Sequence, residues 1–76
     1  MKLFGYSRTD AESLIELSEM TLLASPEMLR EISSFLSQCA DDIQSQGDDW
    51  EHEHFESESS CAAETPNIIV FNPNAT

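Results

Sequence analysis

Between Ser25 and Gly47 the chain reads SPEMLREISSFLSQCADDIQSQG, a stretch punctuated at both ends as a helix. Ser25 can serve as N-cap. Pro26 fits the first helical position, where its missing N–H costs nothing, and Glu27 faces the positive end of the helix dipole. Leu29, Ile32, Leu36, Cys39 and Ile43 recur at steps of three and four, and Phe35 and Ala40 widen that stripe. Glu31, Ser34, Gln38, Asp41 and Asp42 fall mostly on the other side. Gly47 suits the C′ position. The spacing predicts a helix over 26–46, about 30 Å long at 1.5 Å per residue. An amphipathic rod of that length has to lay its stripe on another element, and this requirement organises everything around it.

The flanking residues read as strands. KLFGYS, residues 2–7, places Phe4 and Tyr6 on one face with Lys2, and Leu3 on the other. Arg8 to Ser13 is polar and suits a turn. In LIELSEMTLLA, residues 14–24, Ile15 and Leu17 alternate in one phase and Met20 and Leu22 in the other. The switch near Ser18 and Glu19 predicts two strands, or one long strand with a bulge. A helix is the competing reading, weakened by the fresh helix start at Ser25. After Gly47 a period of two returns, with Trp50, His52 and His54 on one face and Glu51, Glu53 and Phe55 on the other. Residues 57–66 are small and polar and read as a flexible linker. NIIVFN, residues 67–72, is β-branched and aromatic, a strand ended by Pro73, with a frayed tail at 73–76.

The order β-β-α-β-β predicts a single α+β domain over residues 1–76. Its two layers are an antiparallel sheet and one long helix packed on one face. A single helix covers only one sheet face. The last strand is apolar on both, with Ile68 and Val70 on one side and Ile69 and Phe71 on the other. Apolar surface is therefore left over, to be covered by a second copy or by a foreign protein.

Size and charge narrow the function. A chain of 76 residues buries only about 60% of its unfolded surface, so a deep catalytic cleft is not expected. Fifteen acids against three basic residues give a net charge of −12. Nucleic acid and anionic membranes repel such a chain, whereas a basic partner is drawn to it. Solubility alone is the plainer account of the same charge. The opening residues contain no apolar signal-peptide core, and no apolar run approaches the roughly 20 residues that span a bilayer. Cys39 and Cys61 form no disulfide framework, so a reduced, cytoplasmic setting is expected.

The densest chemistry lies in DDWEHEHFESE, residues 48–58. His52 and His54, one residue apart on a strand, point the same way and could serve zinc, with Asp48, Asp49 or a distant residue as third ligand. Two histidines do not complete a site, and the bland reading is a pair of partly exposed rings. Acid/base catalysis has the right residue types but no nucleophile elbow, phosphate-binding glycine loop or cofactor fingerprint, so no enzyme and no cofactor is expected. Docking uses every residue type present. Glu51 and Glu53 on the strand, with Asp48, Asp49, Glu56 and Glu58 at its ends, supply negative potential, and Trp50 and Phe55 supply aromatic anchors. Its plain alternative is a solvated acidic strand with Trp50 in the core.

KLFGYS, LIELSEMTLLASPEMLREISSFL, GDDWEHEHF and NIIVFNP resemble the bacterial immunity protein 32 family of polymorphic toxin systems, over nearly the whole chain. The string at 50–55, WEHEHF, is the most distinctive part. The resemblance implies a non-enzymatic protein made beside a toxin, which binds and neutralises that toxin inside the producing cell. The expected partner is then a basic, nuclease-like toxin domain bound through Asp48, Asp49, Trp50, Glu51, Glu53 and Phe55. The rivals are a small zinc protein using His52 and His54, and a housekeeping homodimer.

Overall fold

The computed structural model describes residues 1–57 and 66–75. The central helix, α1, spans Pro26–Gln46, as its end signals imply. The Ser25 hydroxyl accepts from the Met28 N–H at 3.1 Å. Gly47 takes φ 60 and donates its N–H to the Ile43 carbonyl. A residue without a Cβ adopts that backbone freely. It lets the chain turn through a short 3₁₀ segment, Gly47–Asp49, and double back.

The returning chain runs antiparallel to α1, and two contacts mark its track, with Glu53 ahead of them close enough for its charge to act on the Cys39 thiol. The Phe55 ring lies 5.3 Å from that of Phe35. The Ser57 hydroxyl donates to both oxygens of Glu31, at 3.2 and 3.3 Å. Every two residues gained along the extended chain meet four residues lost along the helix. The two repeats are nearly commensurate: about 6.7 Å for two strand residues and about 6 Å for four helical ones.

Within this returning chain, β3 (His52–His54) pairs antiparallel with β4 (Ile69–Phe71), in the register His52↔Phe71, Glu53↔Val70, His54↔Ile69. Phe55 N–H to Ile68 carbonyl and Asn72 N–H to Glu51 carbonyl, both 2.8 Å, extend the ladder at either end. Asn72 then latches β4 to the helix terminus. Its Nδ2 donates to the Gly47 carbonyl at 3.0 Å and the Trp50 carbonyl at 2.9 Å, and its Oδ1 accepts from the Asn74 N–H at 3.1 Å. Residues 73–75 curl into a turn closed from Ala75 N–H to Asn72 carbonyl, 3.2 Å, where the sequence suggested fraying.

At the other end of the chain, β1 (Leu3–Gly5) pairs antiparallel with β2 (Ile15–Leu17), in the register Leu3↔Leu17, Phe4↔Glu16, Gly5↔Ile15. The α+β class and the order β-β-α-β-β are as the sequence implied. The sheet is not continuous: the four strands form two separate two-stranded ladders. The Met20–Leu22 segment forms no strand. Past the phase switch at Ser18 it cannot stay in register with β1 without turning its apolar side chains to the opposite face. The strands are also shorter than the stretches that announced them. Most of the 57–66 linker, including Cys61, lies outside the described residues.

The core is thin. Among the described residues, Ile32, Cys39 and Trp50 are the buried hydrophobics. Leu29 and Leu36, on the same apolar stripe, remain 42% and 47% exposed. Among the described residues no helix is long and apolar enough to cross a membrane.

Candidate functional site

The 48–58 stretch is not one surface. Asp48 and Asp49 form the 3₁₀ turn and are exposed. Trp50 is 7% exposed, so the sequence expectation that it is a docking anchor is overturned: it belongs to the core. The strand begins only at His52, so the alternation that grouped Trp50 with the two histidines does not extend back to it. Glu51 stays largely in solvent and holds His52 Nδ1 at 2.9 Å. Glu53 is exposed, and its Oε1 accepts from the His54 N–H at 3.1 Å. Phe55 is half-buried against Phe35, so part of its ring serves packing. The four carboxylates of the expected site are spread along a turn and a strand and do not converge.

His52 and His54 share the outer face of the β3–β4 ladder. The His52 ring stacks on Phe71 at 4.7 Å and 16°, and His54 meets His52 edge-on at 5.3 Å. Among the described residues no group of three or more His, Cys, Asp or Glu side chains is arranged to hold a metal. Among the described residues the zinc reading therefore has two imidazoles and no third ligand, with one imidazole nitrogen already engaged by Glu51. Cys39 is buried, and burial pushes its thiol above the usual range, reinforced by the negative charges of Asp42 and Glu53. A thiol so placed keeps its proton at neutral pH and is a poor nucleophile.

A convergence that the sequence reading missed lies on the helix side of the returning chain. Glu27, Glu31, Arg30, Phe35, Phe55 and Glu56 border an open groove of about 510 Å³. Glu27, Glu31 and Phe35 form one row of α1 at four-residue steps, and Phe55 and Glu56 face it from the returning chain. The periodicity had put Glu31 on the solvent side. It is half-buried, because Ser57 reaches it. The visible signal was the row itself, since a carboxylate pair leading to an aromatic at helical spacing calls for something to sit across it. Glu27 and Glu56 against one guanidinium, beside two tilted rings and a Glu31 carboxylate already taken up by Ser57, form a setting that favours an ammonium or guanidinium group. The charge attracts it, the carboxylate oxygens accept its N–H groups, and the ring faces add a cation–π term.

No protein-family model, curated protein or solved structure matches the chain at a significant level. The site is read from its own geometry.

Proposed function

We propose that this protein is a non-catalytic inhibitor of the bacterial immunity type, which binds a basic toxin domain inside the cell that makes both. The groove between α1 and the returning chain takes a lysine or arginine of the toxin. The observation that carries the reading is the groove that Glu27, Glu31 and Glu56 border beside the Phe35–Phe55 pair, on a chain of net charge −12. The exposed carboxylates of Asp48, Asp49, Glu51 and Glu53 extend the negative field along the turn and strand and steer the approach. Trp50 holds the scaffold and makes no contact with the toxin. The role is the one the sequence resemblance implied, but no family model matches the chain, so the reading stands on the groove and the charge.

The experiment is a binding titration against the basic domain encoded beside this gene, at low and high salt. The wild type should bind tightly at low salt and weaken as the field is screened. Glu27→Gln with Glu56→Gln should weaken binding about tenfold or more, while Glu51→Gln with Glu53→Gln should slow association more than it speeds dissociation. Absence of a complex with that domain, or a complex indifferent to salt and to both pairs of substitutions, refutes the proposal.

A further inference from the structure

The β1–β2 hairpin is held by its own polar contacts. Among the described residues no hydrogen bond, ion pair or ring contact joins residues 1–24 to the remainder of the chain. Its turn is held by its own side chains, with the Ser7 hydroxyl accepting from the Asp10 N–H at 2.9 Å and Asp10 Oδ1 accepting from the Glu12 N–H at 3.1 Å. A two-stranded hairpin with three residue pairs is marginal in water unless something packs on it.

The two faces of the hairpin differ. Leu3, Leu17, Gly5 and Ile15 form one face, with Leu3 and Gly5 half-buried. The other carries Phe4 opposite Glu16, and alternation adds Lys2 and Tyr6 to the Phe4 row. Phe4 and Tyr6 are 55% and 59% exposed, and Lys2 and Glu16 are exposed beside them.

The charge distribution selects what covers this face. Residues 1–17 hold two of the three basic residues, Lys2 and Arg8, and only three of the fifteen acids, Asp10, Glu12 and Glu16. The local balance is −1, and residues 18–76 carry the other −11 of the total −12. A cationic partner is drawn to the acidic remainder. A second copy of this chain is repelled least at the near-neutral hairpin. The face is also self-complementary, as a two-fold interface requires. When two such faces meet about an axis that crosses them diagonally near Phe4, Lys2 of each copy comes opposite Glu16 of the other. We infer that the Lys2–Phe4–Tyr6–Glu16 face is a homodimer interface, separate from the acidic groove.

Sedimentation equilibrium of the full chain tests this. The wild type should show a monomer–dimer equilibrium that tightens with added salt, because salt screens the repulsion between two −12 bodies faster than it weakens an aromatic contact. Lys2→Glu alone, or Glu16→Lys alone, should weaken self-association about tenfold, from two lost pairs and two new repulsions. An equimolar mixture of the two variants should dimerise as the wild type does, since each like-charged face then meets its opposite. Far-UV circular dichroism confirms that the variants keep the helix. A wild type that stays monomeric at high salt and at about 100 μM, well above a micromolar Kd, overturns the inference. So does a dimer that ignores both single substitutions, or a mixture that fails to restore association. Toxin binding is read separately and leaves these outcomes unchanged.

Discussion

Asn72→Ala should be the most damaging single truncation outside the apolar core. Asn72 is 4% exposed, and its side chain makes three hydrogen bonds: to the Gly47 carbonyl, the Trp50 carbonyl and the Asn74 N–H. The variant strands these groups unequally. The Trp50 carbonyl lies in buried surroundings and loses its partner outright, at about 2 kcal/mol. Water can reach the part-buried Gly47 carbonyl and Asn74 N–H, which limits each loss to about 0.5–1 kcal/mol. The sum is about 3–4 kcal/mol. Against the roughly 4–11 kcal/mol that a chain of this length commands, about a quarter or more of the stability is gone. Urea unfolding reports it through Trp50, the single and buried tryptophan, and through helical ellipticity. With a slope near 1 kcal/mol per molar, the midpoint should fall by about 3 M, and the variant should be partly unfolded before urea is added. A shift under about 0.5 M in both signals would mean that the latch between β4 and the helix terminus carries little weight.

Two further outcomes follow from the turn and the thiol. Gly47→Ala meets open space, with no atom within 4 Å of the added Cβ, so any loss comes from the φ of 60 alone. The expected cost is about 1–3 kcal/mol in thermal or urea unfolding, and no measurable change would show that this backbone relaxes freely. Cys39 has a raised thiol pKa in the folded state, caused first by burial and then by Asp42 and Glu53. Its contribution to stability is complete below the unfolded thiol pKa of about 8.5, and it is lost as pH climbs through the higher folded value. Wild-type urea midpoints should fall over that alkaline range more steeply than those of Cys39→Val, and equal slopes would contradict the assignment.

The elements that were legible in the sequence are those whose signals are local. Ser25, Pro26 and Gly47 announce the helix through capping and backbone freedom, and α1 begins and ends where they say. The strand at Ile15–Leu17 follows from its alternation. What escaped depends on contacts between distant residues. Trp50 looked like a member of the strand face because alternation is blind to where a strand starts, and the 3₁₀ turn delays β3 to His52. The groove escaped because helical periodicity sorts residues by polarity, and Glu31 is drawn inward by Ser57, 26 positions away. The division into two ladders escaped because an apolar strand does not name its neighbour. Of the six residues expected to form the site, Phe55 borders the groove, and the acids that share it come from the first turns of the helix and from Glu56.

The pairing of α1 with the chain that returns along it has a consequence for how such a molecule can change length. The contacts Phe35–Phe55 and Glu31–Ser57 repeat like the teeth of two gears with different counts, four on one and two on the other. Removing a whole turn's worth from the helix alone would push each aromatic against the wrong tooth. Removing four helical residues together with two from the extended side would leave the remaining teeth meshed. Natural drift in size should therefore come in such coupled steps, and a lone insertion on either side should be rare.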